Sequence, residues 1–265
     1  MNPVEVSEGD GPLILGMPHG GTYLPAEIEA RLNPYGRAMA DTDWHIKTLY
    51  HGLLPSATTV RATFSRYLVD ANRDPSGTSL YPGMKTTETC PTTNFDGEPI
   101  YKDAQQPDTG EVESRIAHYH VPYHRALSEQ IARALSKHGI AVLYDCHSIR
   151  SNIPNLFEGT LPVFNIGTKD GETCGPAIET VAADICGVAD GFDMIVNGRF
   201  KGGWTTRHYG KPASGVHAIQ MELAQRAYMD EAPPWTYQTG RAGPLRHHLG
   251  KLLHRIERLA LDGNL

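Results

Sequence analysis

The chain has 265 residues, of which 40% are hydrophobic and 20% charged, with a formal net charge of −6 when histidine is neutral. That length suffices for a substantial core, and the acidic balance with no polybasic arm excludes the electrostatic footprint of a nucleic-acid binder. No window approaches the ~20 apolar residues of a membrane helix, and the first residues lack the basic and apolar regions of a signal peptide. The four cysteines, Cys90, Cys146, Cys174 and Cys186, form no CxxC pair. Reduced thiols in a cytoplasm are therefore expected rather than a disulfide framework or a zinc knuckle. Thirteen histidines make metal chemistry worth testing.

In chain order, Pro12 to Met17 reads as a buried strand that ends in Pro18-His19-Gly20-Gly21. The glycines permit close backbone approach at a site. Pro25 marks the start of a short helix from Leu24 to Leu32. Asp41 to Gly52 reads as a second helix, capped by Asp41 or Thr42, with Asp43 in its first turn. Short strands are expected at 58–62 and 67–70, the latter running into Asp70-Ala-Asn72-Arg73. Residues 75–110 are rich in Pro, Gly, Thr and Asp without periodicity. A loop that long in a compact domain is commonly functional, and Tyr81, Phe95, Ile100 and Tyr101 give this one anchors for lying over a site.

Residues 111–138 have helical spacing, with Pro122 placed to kink the helix. Ile140 to Tyr144 is an apolar run of the kind buried in parallel or mixed sheets, followed abruptly by Asp145, His147, Ser148 and Arg150. Beyond it, strands are expected at 162–166, 192–196 and 216–223, helices at 175–186 and 244–261, and a loop at 197–212. The alternation predicts a single domain over residues 1–265, a three-layer α/β/α architecture around a mixed, mostly parallel sheet.

In such sheets ligands collect where strands end, because loops converge there. His19 and His147 each occupy a polar, Gly- or Ser-flanked strand end and can converge in space. A hydrolytic zinc commonly takes two histidines and one carboxylate, leaving one open position. Asp43 is the first carboxylate candidate and Asp41 the second, although helix capping accounts equally well for both. Glu222 lies between apolar residues of a strand. Either that strand faces water on one side, or Glu222 is a buried base acting on water. Arg66, Arg73, Arg150 and Arg207 sit in or beside loops, and arginine's planar fork suits carboxylates, so an anionic substrate is expected. No Gly-x-Ser-x-Gly, GxGxxG or P-loop occurs. Cys146 should point away from His147's face, into the core.

Several motifs in this order, Met17-Pro-His-Gly-Gly21, Asp41-Thr-Asp-Trp44, Ser65-Arg-Tyr-Leu-Val-Asp-Ala-Asn-Arg73, Leu80-Tyr-Pro-Gly83, Asp145-Cys-His-Ser-Ile-Arg150, Phe200-Lys-Gly-Gly-Trp-Thr-Thr-Arg-His-Tyr-Gly210 and Val216-His-Ala-Ile-Gln-Met-Glu222, resemble the N-formylglutamate amidohydrolases. They span about residues 13–229. The family resembles a wider clan of zinc carboxypeptidases and aspartoacylase. That resemblance implies His19 and His147 as ligands of Zn2+ or another divalent transition metal. The clan's His-x-x-Glu carboxylate is absent, since Thr22 stands there, so Asp43 is taken as third ligand. It further implies Asn72 and Arg73 as holders of the substrate carboxylate, Arg66 as polariser of the scissile carbonyl, Glu222 as general base, and Arg150 and Arg207 as further anion contacts. The activity implied is hydrolysis of the small dicarboxylate N-formyl-L-glutamate to formate and L-glutamate, in histidine degradation. A deacylase or exopeptidase of other acidic N-acyl amino acids is the alternative, and a non-enzymatic carboxylate-binding protein a more distant one.

Overall fold

The computed structural model describes residues 1–78, 83 and 86–265. Tyr81 and most of the 80–83 motif lie outside them. Seven strands form one sheet: β1 (Val4–Ser7), β2 (Leu13–Met17), β3 (Thr58–Ala62), β4 (Ala141–Ile149), β5 (Phe164–Gly167), β6 (Met194–Val196) and β7 (Val216–Ala224), in spatial order β1-β3-β2-β4-β7-β5-β6. The pairs β3/β2, β2/β4, β4/β7 and β5/β6 are parallel, while β1/β3 and β5/β7 are antiparallel. The expected mixed, mostly parallel sheet is what forms.

The helices are α1 (Ala26–Glu29), α2 (Pro34–Ala38), α3 (Ile46–Tyr50), α4 (Thr109–Arg115), α5 (Val121–His138), α6 (Pro176–Gly187), α7 (Trp204–Tyr209) and α8 (Thr239–Leu261). Side chains of β4 alternate between two cores. Val142, Tyr144 and Cys146 pack with Ile178 of α6 and with Leu249, Leu252 and Leu253 of α8. Ala141 and Leu143 pack with Tyr123, Leu127 and Ile131 of α5. Layers on both faces follow from this alternation. Burial of each of these leucines is worth roughly 1.5–3 kcal/mol. Gly139 ends α5 with φ 72°, a left-handed conformation that glycine adopts without the Cβ penalty.

The structure departs from the sequence reading in several places. β4 does not stop at Tyr144 but continues to Ile149, paired with β7 at every position, so His147 lies within a strand. Residues 67–70 form turns, not a strand. Leu68 N donates to Ser65 O, and Arg66 and Asp70, four apart, are drawn together by a 2.7 Å ion pair. The second helix begins only at Ile46, because His45 takes φ 62° and interrupts it. Asp41 and Asp43 therefore stand in the turns before that helix and cap nothing. Residues 111–138 divide into α4, a π-helical turn at Ile116–His120, and α5, with the irregular turn directly before Pro122, which can donate no backbone hydrogen bond. The expected loop at 197–212 contains α7, and β1 at the sheet edge was not expected.

Candidate active site

β2, the turn after it, β4 and β7 converge on one buried constellation. A nitrogen of His19, a nitrogen of His147 and a carboxylate oxygen of Asp43 lie within 4.8 Å of one another. His19 arrives directly from β2. Gly21 lets that turn press against the 63–64 backbone, where any Cβ would fall 2.3 Å from Thr63 C. Asp43 is tethered to the same turn, since its backbone N–H donates to His19 O at 3.1 Å. His147 is positioned by the β4 pleat, on the face opposite Cys146, which packs in the core as expected.

The three inward atoms are His19 Nδ1, Asp43 Oδ2 and His147 Nδ1, with separations from Asp43 Oδ2 of 3.8 Å and 3.3 Å for the two nitrogens. His19 Nδ1 and Asp43 Oδ2 are buried and lack a hydrogen-bond partner. Orphaned buried acceptors cost free energy unless something pairs with them. The outward nitrogens face carboxylates: His19 Nε2 lies 2.7 Å from Asp70 Oδ1, and His147 Nε2 lies 3.1 Å from Asp145 Oδ1. Metal-ligating histidines characteristically present their second nitrogen to a carboxylate in this way, which fixes tautomer and ring orientation. The residues present therefore fit a metal ion.

The two rings sit in different electrostatic settings. Burial, followed by the Arg66 charge, lowers the His19 pKa and keeps the ring neutral, so Nδ1 offers a lone pair. Burial raises Asp70, but its pairing with His19 and the charges of Arg73 and Arg66 outweigh it and hold the carboxyl well below the usual range. For His147, burial disfavours the charged ring, yet the Asp145 carboxylate more than offsets this and raises its pKa. Burial pushes Glu222 up to about 8, with His147 pulling the other way. Glu222 is buried and sits beside His147 in the β4/β7 register, so the strand does not simply turn this side chain to water. Arg66 is buried, donating to Asp70 Oδ2 at 2.7 Å and Asp41 O at 3.1 Å, with its guanidinium over the Phe95 ring.

These groups open into a cavity of about 490 Å³, lined by His19, His147, Glu222, Arg66, Asn72 and Arg73. Thr86 to Cys90, Thr92, Phe95 and Pro107 of the long loop form another part of its wall, as expected for a segment lying over a site. A larger, more open groove of about 760 Å³, bordered by α6 and α8, contains none of these residues.

The other candidates are placed differently. Asp41 Oδ2 accepts from Tyr67 Oη and Phe95 N, both at 2.8 Å, so Asp41 ties the long loop down and stands apart from the three ligand atoms. Arg150 reaches Asp96 at 2.8 Å and Asp41 at 3.3 Å and does not line the cavity. Arg207, on α7, donates to Gly202 O at 2.8 Å and is likewise outside the lining. Asn72 is engaged at both ends of its amide, accepting from Thr205 N at 2.8 Å and lying 3.1 Å from His147 Nε2. Sequence reasoning passed over Asp70, Asp145, Gln220 and Arg199. All four belong to the cavity wall or face a residue of it: Gln220 and Arg199 line the cavity, Asp70 holds His19, and Asp145 faces His147. The available signal was Asp145 and Gln220 embedded in apolar strands, where an unpaired polar group is costly.

Comparison with known proteins gives a consistent result. The N-formylglutamate amidohydrolase family matches residues 11–229. The chain is 44% identical to the N-formylglutamate deformylase of Pseudomonas aeruginosa over 249 residues, covering 94% of this chain and 93% of that protein. It is 41% identical to the deformylase of Pseudomonas putida, with coverage of 94% and 93%. The crystal structure of N-formylglutamate amidohydrolase from Ralstonia eutropha JMP134 superposes with a TM-score of 0.83 at 26% identity, covering 99% of this chain and all of that one.

Proposed function

The chain belongs to the N-formylglutamate amidohydrolase family, and from that membership and the site we propose that it hydrolyses N-formyl-L-glutamate to formate and L-glutamate. The observation that carries the reading is the set of three convergent ligand atoms beside Glu222, in a cavity walled by arginines. His19, Asp43 and His147 would hold a divalent transition ion, for which zinc suits two nitrogens and one oxygen with a position left open. Such an ion, when bound, supplies Lewis-acid polarisation of the formyl oxygen and makes water more acidic.

Glu222 takes the proton from the attacking water as the C–O bond forms. It returns that proton to the α-amine of glutamate as the C–N bond breaks. Burial holds its pKa above the ordinary carboxylate range, which suits a group that must deliver a proton as well as accept one. Arg66, fixed by Asp70, presents a permanent positive charge to the developing oxyanion. Arg73, a quarter exposed at the cavity wall, meets a substrate carboxylate. Arg199, in the same wall, is a second cation for a dicarboxylate. Arg150 and Arg207 act from outside the wall, on the loops and α7, and Asn72 acts through His147. Among the described residues no helix is long and apolar enough to cross a membrane.

The test is release of the free amino acid by the zinc-loaded protein from N-formyl-L-glutamate, N-acetyl-L-glutamate and N-acetyl-L-aspartate. Turnover of the formyl compound should exceed the others by at least ~10-fold. Comparable rates would make the chain a broader acidic deacylase, and no turnover of any would leave only binding.

A further inference from the structure

Glu222 and His147 are register neighbours on β7 and β4, and two residues earlier Gln220 and Asp145 are neighbours on the same face. All four are buried. The first turn of α7 reaches both pairs. Gly203 N donates to Gln220 Oε1 at 2.6 Å, and Gln220 Nε2 donates to Glu222 Oε2 at 3.1 Å. Thr206 Oγ1 donates at 2.9 Å to Asp145 Oδ2, whose other oxygen faces His147 Nε2. Between them Thr205 N donates to Asn72 Oδ1, whose amide nitrogen also lies against that ring.

The turn is itself fixed. Trp204 stacks on His208, with ring centroids 4.3 Å apart, and packs against His120 of the π-helical turn and His124 of α5. The His124 ring bonds Ala71 O at 2.7 Å and the His120 ring Arg73 O at 3.0 Å, so the same block of side chains holds the Asn72 segment. Gly203 cannot carry a side chain here, because a Cβ would fall 2.3 Å from Asn72 Nδ2.

We propose that α7 is the common anchor of ligand and base, with Gln220 and Thr206 as positioning residues: Gln220 fixes the carboxylate of Glu222, and Thr206, through Asp145, fixes the ring of His147. This assignment rests on the roles proposed above for Glu222 and His147. It gives the Phe200–Gly210 segment a role although Arg207 stands outside the cavity. Fixing one oxygen of a carboxylate sets its plane, and misplacement of a reacting group by about 1 Å costs on the order of 10²-fold in rate. Outer partners of a metal-bound histidine are worth about 10–100-fold in metal affinity.

The experiment compares Thr206→Val, Thr206→Ser and Gln220→Met in the full chain by three readouts: Zn2+ affinity by chelator competition, thermal unfolding, and steady-state kinetics of the zinc-saturated protein. Thr206→Val should bind zinc about 10–100-fold more weakly, with Thr206→Ser restoring affinity. Gln220→Met should keep wild-type zinc affinity and lose about 10-fold or more in kcat, with KM changed less. Should Thr206→Val not fold, Thr206→Ala carries the same expectation. Wild-type zinc affinity in the valine variant, or a Gln220→Met loss that merely tracks the unfolded fraction, overturns the proposal. The zinc measurements need no substrate, so failure of the substrate assignment leaves them readable.

Discussion

Asp70 Oδ1 lies 2.7 Å from His19 Nε2, and this one contact determines which nitrogen of His19 faces the site. A carboxylate can only accept, so Nε2 carries the proton and Nδ1 is left bare. Asp70 Oδ2 accepts from Arg66 at the same distance. One buried carboxylate thereby orients a metal-ligand candidate and the cation beside it, and the backbone N–H of Asn72 donates to it as well.

Asp70→Asn should therefore damage two things at once. The amide can still accept from His19, but its charge is gone and Arg66 loses its closest ionic partner in a buried setting. Metal affinity should fall about 10–100-fold. Stability should fall by about 3–5 kcal/mol, the range for breaking a buried ion pair. Chelator competition and denaturant unfolding on the same preparation check both, and a variant unchanged in zinc affinity would remove Asp70 from this role.

The two aspartates of the Asp41-Thr-Asp43 turn should separate cleanly. Asp43→Asn should release the metal, since Oδ2 is one of the three convergent atoms and has no other partner. Asp41→Asn should keep the metal and lower stability by about 1–3 kcal/mol, because Tyr67, Phe95 and Arg150 lose a charged acceptor. Metal content after dialysis, with melting curves, decides between them. Metal loss from the Asp41 variant alone would exchange the assignments.

Glu222→Gln is nearly isosteric and removes only the base. Turnover should drop by ~10²-fold or more while zinc and fold are retained. Arg73→Ala should instead act chiefly on kcat/KM through binding. Steady-state kinetics on N-formyl-L-glutamate distinguish the pair, and near-normal turnover in the glutamine variant would remove Glu222 from the mechanism.

What could be read from the sequence was whatever repeats locally. The apolar run before Asp145, the Pro-His-Gly-Gly turn and the period of the last helix located β4, β2 and α8. The continuation of β4 through Asp145-Cys-His-Ser-Ile was not legible, because polar residues there resemble a loop until Thr206 and β7, which are more than fifty residues away, are seen to pair with them. For the same reason Asp70 looked like the end of a strand. Its partners His19 and Arg66 become visible only in the folded chain, where the Arg66 pair bends the backbone into turns. Asp43 could be ranked above Asp41 only by a helix position that the fold does not have. What brings it beside His19 is a backbone bond across the turn. The arginines illustrate the limit of composition: four suggested an anion site, yet only Arg66 and Arg73 of them line the cavity, joined by Arg199.

Acid stability should be governed by a histidine outside the metal cluster. His124 is buried, with its ring between Ala71 O and Tyr209 Oη. Burial, then the nearby His120 and His208, lower its pKa from 6.5 to about 3. The unfolded chain takes up a proton below pH 6.5 that the folded chain refuses until about 3. Its stabilising contribution is therefore complete above 6.5 and erodes as pH falls through that window, by about 1.4 kcal/mol per pH unit. His120, also lowered by burial, steepens the slope. His147 works in a different window. Its pKa is raised, so in the metal-free protein its contribution is full below 6.5 and fades only as pH rises through its folded value. His124→Gln keeps an N–H donor for Ala71 O but cannot titrate. Between pH 6.5 and about 4.5 the metal-free wild type should lose at least ~2 kcal/mol more than this variant, measured by denaturant unfolding at each pH. Parallel lines for the two proteins would show that the buried ring is not what makes the fold acid-sensitive.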